Sequence, residues 1–384
     1  MTAHAYIVAA NRTPTGRRGG SLAGVHPLDL AGFAMKATLE RAEVDPAAVE
    51  DVVWGVLDPL GGQAHDMART AWLAAGLPEH VPGVTVDRQC GSSQQAVHFA
   101  AQAVMAGVQD LVLAGGVQCM SSIPMNSSVL LARAAGMPDQ YSGSTGWQAR
   151  YGDQEVSQFR GAELMAERWN IARDAMEEYA LESHRRAIAA SAAGHFDAEI
   201  MPLVGLTRDE TPRADTSRER LASLKPLREG GRVTAATSSQ IADGAAAILV
   251  ASEKAVRDHG LQPLARIRHM AVLADDPIMV LSAPIPATRL ALAKAGLKVS
   301  DIDLFEVNEA FAPVPIAFIS EFGLDPARVN MSGGAIALGH PLGATGARLM
   351  TTLLHAMERT GARLGLQTMC EAGGQANVTI LERL

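Results

Sequence analysis

The stretch Val86-Asp87-Arg88-Gln89-Cys90-Gly91-Ser92-Ser93-Gln94-Gln95-Ala96-Val97-His98 decides how this chain is read. Upstream of it, Val81 to Val86 is a short run rich in β-branched residues. Downstream, small and amide side chains open an Ala-rich segment that reaches Met105-Ala106-Gly107, which predicts a helix closed by glycine. Cys90 therefore falls at a strand-to-helix junction. Free N–H groups and the positive end of the helix dipole favour a thiolate there, so the position suits a nucleophile. It also suits an inert sulfur, because most free cysteines are small buried hydrophobes.

Two later stretches bear on that choice. Gly333-Gly334-Ala335-Ile336-Ala337-Leu338-Gly339-His340-Pro341-Leu342-Gly343-Ala344-Thr345-Gly346-Ala347-Arg348 is a glycine-rich loop that presents one histidine at the mouth of a helix. Met369-Cys370-Glu371-Ala372-Gly373-Gly374-Gln375-Ala376-Asn377 sets a second cysteine in another glycine-rich turn. Together with Asn308-Glu309-Ala310-Phe311 and the early Arg12-Thr13-Pro14-Thr15-Gly16, these stretches resemble, in order along nearly the whole chain, the signatures of the thiolase family, the acyl-CoA C-acyltransferases.

The rest of the composition fits an α/β protein. A chain of 384 residues implies two or three units at ~100–200 residues each. Hydrophobic residues at 48% with 36 glycines suit helices lying close on a sheet. The balance of 33 basic against 41 acidic residues, formally −8, argues against a nucleic-acid surface, and a polyanion such as coenzyme A needs a local basic patch. Three cysteines, Cys90, Cys119 and Cys370, make no disulfide framework and point to a reducing cytoplasm. Met1 to Ala10 lacks a basic segment ahead of its apolar run and reads as a first strand. No apolar run approaches the ~20 residues of a membrane span. Glu382-Arg383-Leu384 does not spell a peroxisomal address of the Ser-Lys-Leu type.

Taken in order, the chain alternates strands and helices up to Gly116, with strands expected at Val52 to Leu57, Val81 to Val86 and Asp110 to Gly116. From Ser121 to about Gly244 the character changes. Helix patterns at Glu163 to Trp169 and Ala175 to Ala193 precede a charged, proline-bearing stretch, which reads as a folded functional insertion. Ala245 to Val250 resumes the sheet pattern. A second round then runs from Ala265 through helices at Ala287 to Ala295, Ala310 to Phe322 and Ala344 to Arg359, with strands at Asp303 to Val307 and Gln375 to Leu381. Periodicity supports an α/β protein of two units. The resemblance implies more: two topologically similar α/β halves in a layered αβαβα core, residues 1–120 plus 245–264 and residues 265–384, with a loop domain at 121–244 that covers the active site and holds coenzyme A.

What the resemblance implies chemically is thiolytic cleavage of a 3-ketoacyl-CoA, or its reverse, as in the β-oxidation of fatty acids. Coenzyme A and acyl-CoA are substrates, with no permanently bound cofactor and no metal. A sulfur nucleophile suits the reaction because a thioester can be accepted by a second thiol. By match to the family's motifs, Cys90 is the nucleophile, His340 takes its proton, Cys370 protonates the departing carbanion equivalent, and Asn308 orients a water that with His340 receives the thioester oxygen. The backbone N–H groups of Cys90 and Ala372 make a second oxyanion site. Ser239 matches a serine beside the pantetheine and Arg213 a basic residue near the adenine nucleotide. Ala310 and Phe311 are expected at the substrate. A homodimer or homotetramer is expected.

The chain departs from the family's usual pattern twice. Ala372 stands where Cys-x-Gly is usual, and Gln158-Phe159-Arg160-Gly161 stands where Met-Gly-x-Thr commonly lines the acyl pocket. A simple acetoacetyl pocket is therefore in doubt. Two other readings remain: an acyl-CoA or lipid-binding protein without turnover, and a decarboxylating ketoacyl synthase, which generally uses two histidines where this chain has Asn308 and His340. A nucleotide-binding module finds no Gly-x-x-x-x-Gly-Lys or strand-linked Gly-x-Gly-x-x-Gly to rest on. No clustered ligand spacing suggests a metal site.

Overall fold

The expected first strand forms as Ala5–Arg12 (β1) and takes the central place in a sheet of ten strands among the described residues. The computed structural model describes residues 4–384; Met1 to Ala3, with which the N-terminal apolar run and the 1–120 segment begin, lie outside the described residues. After β1 come Gly16–Arg17 (β2), Pro27–Arg41 (α1), Asp51–Gly55 (β3), Met67–Ala74 (α2), Gly83–Val86 (β4), Ser92–Met105 (α3) and Leu111–Cys119 (β5). The insertion carries Ser127–Ala134 (α4), Thr145–Tyr151 (α5), Gln158–Arg168 (α6), Arg173–Ala192 (α7) and Arg218–Ala222 (α8). Ala242–Ser252 (β6) and Glu253–Asp258 (α9) follow it. The second round is Ala265–Ala274 (β7), Pro284–Ala295 (α10), Leu304–Val307 (β8), Pro313–Phe322 (α11), Ala335–Leu338 (α12), Thr345–Thr360 (α13), Leu364–Glu371 (β9) and Gln375–Arg383 (β10).

The strand order β4-β3-β5-β6-β1-β7-β10-β9-β8 is the same half written twice about its centre. In the first half β3 runs parallel to β4 and β5 while β6 and β1 are antiparallel additions; in the second, β8 and β9 are parallel and β10 and β7 antiparallel. An isolated parallel bridge from Phe305 to Val329 takes the place that β4 holds opposite. The halves join through two register pairs of β1 and β7, Tyr6 with Arg266 and Ile7 with Ala265.

Three apolar cores explain the layering. Leu30, Met35, Trp54 and Trp72 belong to one, packed between α1, α2 and the outer face of the first half. Phe305, Phe318 and Leu292 belong to another, which also takes in Ala162, Met165 and Met176 from α6 and α7. The insertion is thereby folded down on the second half. Between them, Ala96, Val97, Ala347 and Met350 from α3 and α13 fill a third core with strands of both halves. The close approach of those two helices depends on Gly346, where a Cβ would stand 2.3 Å from the backbone N of Gln94.

Three expectations need correction. β5 does not end at its glycines but runs on to Cys119, because Gly115 and Gly116 are the places where Trp54, the Ala246 carbonyl and the Gly343 carbonyl come too close for a side chain. The helix expected from Ala310 begins at Pro313, since a bridge between Ser238 and Phe311 holds the preceding residues extended. Cys370 lies not in a turn but near the end of β9. That strand escaped the sequence reading because all of its residues are buried, Gln367, Thr368 and Glu371 included, so it shows no polar alternation.

Candidate active site

The turn that carries Cys90 is set by its neighbours before the sulfur enters the account. Gln89 adopts a left-handed backbone at φ 51°, which few side chains take without support. The support comes from Asp87, whose Oδ1 accepts the Gln89 N–H at 2.7 Å, and from Ser92, whose Oγ accepts from Arg88 N and donates to Gln89 O. Cys90 thus stands half-buried two residues ahead of α3.

Cys90 and Cys370 line one cavity of about 290 Å³, with Ala372, Leu342, Ala310 and the α6 residues Gln158 and Phe159 around it. Burial, with the neighbouring Glu371 charge adding to it, pushes the Cys90 thiol up to about 12. Burial pushes Cys370 up as well, and a charge on Cys90 adds to the effect. Burial and the Glu371 charge thus work against the thiolate that a helix start favours at Cys90.

His340 and Asn308 form a second pair. The Thr345 Oγ1 hydroxyl donates to Pro341 O at 2.9 Å, so it accepts from His340 Nδ1–H at 2.7 Å. Nε2 is left unprotonated and faces Asn308 Nδ2 at 3.4 Å. Burial, reinforced by Arg348, pushes the imidazole down to about 3, so the ring is neutral around pH 7. Among the described residues the hydrogen bonds of the ring run to Thr345 and Asn308 and not to a sulfur. The two pairs adjoin through Leu342 and Ala310, which line the cavity two residues from His340 and Asn308 respectively. Asn308 Oδ1 is buried without a protein partner.

Glu309 fixes the Asn308 loop. Its carboxylate accepts from Tyr179 Oη, Ser183 Oγ, Asn330 Nδ2 and the Ile336 backbone N–H, and its Cδ would lie 2.3 Å from a Cβ at Gly334. That contact explains a glycine at the start of the histidine loop. Ala372 has no positive φ, so an alanine is accommodated there without strain, and the positive values fall on Gly373 and Gly374. Neither Cys90 nor Ala372 spends its backbone N–H in a turn or cap bond.

The remaining expected residues divide. Ser239 donates its N–H to Ala310 O at 3.0 Å and so lies beside the cavity wall. Phe311 stands behind that wall, edge-on to Phe159 at 5.8 Å between ring centres, and packs rather than lines. Arg213 is not brought to the cysteines; it borders a separate groove with His184 and Arg185, and its Nε donates to Gln240 Oε1 at 3.1 Å. The sequence reading missed Thr345 and Glu371. Thr345 carried a signal, a hydroxyl five residues after His340 at a helix start.

Residues 5–254 match the thiolase N-terminal domain and residues 261–383 the thiolase C-terminal domain. The chain belongs to the thiolase family. The thiolase fold is found over all of this chain in human mitochondrial 3-ketoacyl-CoA thiolase in complex with CoA, with a TM-score of 0.89, 36% identity and 98% of that chain covered. Among curated thiolases, steroid 3-ketoacyl-CoA thiolase FadA6 of Mycobacterium tuberculosis is 59% identical over 384 residues, 99% of this chain and 94% of the relative. The 3-ketoacyl-CoA thiolase of Cronobacter sakazakii is 44% identical over 402 residues, 98% of this chain and 99% of the relative. The activity of this thiolase is CoA-dependent thiolytic cleavage of a 3-ketoacyl-CoA, which makes it an acyltransferase.

Proposed function

We propose that cleavage runs through an acyl-Cys90 intermediate. The Cys90 proton passes to His340 Nε2 and the sulfur attacks the 3-keto carbon. The bond between the α and β carbons breaks, its electron pair goes to the α carbon, and Cys370 S–H supplies the proton that lets acetyl-CoA leave. The Cys370 thiolate then takes the proton of incoming CoA, whose sulfur attacks the acyl-Cys90 thioester and releases the shortened acyl-CoA, while His340 returns its proton to the departing Cys90 sulfur. The N–H groups of Cys90 and Ala372 receive one oxyanion, His340 and a water oriented by Asn308 the other, at ~3 kcal/mol per donor. The observation that carries this reading is the cavity shared by Cys90 and Cys370, whose wall includes Leu342 and Ala310, each two residues from the pair formed by Asn308 and a neutral His340 with Nε2 unprotonated. With thiol and ring both uncharged at rest, the thiolate forms on attack rather than as a standing ion pair.

For the acyl group, we infer a bulky, ring-derived 3-ketoacyl chain, in keeping with the steroid substrate in the name of the M. tuberculosis relative. The supporting observation is a cavity wall that mixes Met125, Val129, Phe159 and Leu281 with Gln140, Tyr141 and Gln158, too large and too polar for an acetyl group alone. Coenzyme A would enter past Ser239, with its nucleotide toward Arg213. The three-part division at 1–120 plus 245–264, 121–244 and 265–384, a homo-oligomer, and a reducing cytoplasmic setting for three free cysteines complete the reading.

Thiolysis of a panel of linear and ring-derived 3-ketoacyl-CoA thioesters tests the substrate. Iodoacetamide labelling of Cys90, relieved by acyl-CoA, tests the nucleophile; full turnover by Cys90→Ala would refute it.

A further inference from the structure

Glu371 is a buried carboxyl that the chemistry above leaves unused. It ends β9 directly after Cys370, and neither of its oxygens has a hydrogen-bond partner in the protein. Its Oε1 lies against the Gly91 backbone, so close that a Cβ built at Gly91 would stand 1.8 Å away. Glu371 thus follows one sulfur in the chain, and its carboxyl lies against Gly91, which follows the other; all three residues Cys90, Cys370 and Glu371 line the same cavity.

The groups around it do not neutralise it. From the turn before α3 come Arg88 and Asp87, and from the site the thiols of Cys90 and Cys370. Arg88 directs Nη1 to Gln375 Oε1 at 2.8 Å and leaves Nε without a partner, so it forms no ion pair with Glu371. From β10 come Gln375 and Asn377. Deeper on α3, burial holds His98 down to about 3, so that ring carries no charge near pH 7. A negative charge on Glu371 therefore opposes any thiolate made at Cys90 or Cys370.

We propose that Glu371 is a positioning residue whose neutral form keeps the two sulfurs reactive and whose ionisation suppresses them on the alkaline side. The inference rests on the roles given above to Cys90 and Cys370. A like charge in a desolvated site shifts a neighbour by ~1–3 units, which is about ten-fold or more in thiolate at a given pH. Burial raises the carboxyl to about 8, against the opposing pulls of Arg88 and of the Asn377 backbone N–H, so its charge changes near pH 8.

The test is the rate of iodoacetamide labelling against pH in the full-length enzyme and in Glu371→Gln, with the labelled cysteine located by peptide mass. Between about pH 6.5 and about pH 9 the rate is expected to climb about ten-fold more in the variant. A second measurement is a protonated-carboxyl C=O band in difference infrared spectra, lost on crossing about pH 8 in the wild type and diminished in Glu371→Gln, the variant separating it from the band of Glu306, which burial also raises to about 8. Parallel rate profiles, or a wild-type enzyme without that band, overturn the inference. Labelling that maps away from Cys90 overturns the underlying assignment instead, and the inference with it.

Discussion

The Thr345 hydroxyl holds the His340 ring by Nδ1 at 2.7 Å, and the Pro341 carbonyl holds that hydroxyl in turn at 2.9 Å. The chain of two hydrogen bonds chooses the tautomer: it commits the proton to Nδ1 and aims the bare Nε2 at Asn308. Thr345→Val keeps the shape and removes the acceptor. It is expected to lower kcat/KM for thiolysis about 10- to 100-fold, while Thr345→Ser restores most of it. Steady-state kinetics of the two variants check this; equal loss in both would assign Thr345 to packing instead.

Acid stability follows from the buried rings. His340 and His98 are each held down to about 3 in the folded chain, from an ordinary value of 6.5. The unfolded chain therefore binds more protons between those values, and stability is complete above about pH 6.5 and falls as the pH drops through the window. Each ring contributes a slope of up to about 1.4 kcal/mol per pH unit. Urea denaturation at stepped pH should display that slope, and His98→Asn should lessen it by one ring's share, leaving that of His340 and of His184, which burial lowers to about 4.

Contact between α3 and α13 leaves no room for a methyl group at position 346. Gly346→Ala must separate the helices or bend one of them, at about 1–3 kcal/mol. Because both helices begin beside the site, a fall in kcat should accompany the lower Tm, which thermal denaturation and thiolysis assays on one preparation would compare.

Arg12 ties β1 to the insertion through Glu199 at 2.6 Å and Asp209 at 2.7 Å, with its side chain 1% exposed. Arg12→Met leaves two buried carboxylates without their cation and is expected to cost about 3–5 kcal/mol. A chemical-denaturation midpoint close to that of the wild type would contradict this.

Much of this molecule was legible in its residues, for reasons that differ from place to place. α1, α7 and α13 carry apolar spacing that any reader would take for helix. Cys90 and His340 were found because each sits in a loop whose small residues give way to a helix. β9 stayed hidden because its polar side chains point into the protein, where burial erases the alternation on which strand reading depends. The surroundings of the Cys90 thiol were out of reach for a related reason: a helix end is visible in a sequence, whereas the desolvation and charge that oppose it depend on elements hundreds of residues away, such as Glu371 at Gly91. Phe311 shows the same limit, since only the fold reveals that Phe159 stands in front of it.

The mirrored strand order has an outcome for how this enzyme comes to life. One half contributes the sulfur at the head of α3, the other the imidazole at the head of α13, and these helices abut back to back. With the roles proposed for Cys90 and His340, each half on its own is expected to be catalytically mute. Two fragments parted near residue 260 would regain turnover only by finding each other, so activity reports on docking of the repeats and not on the folding of either.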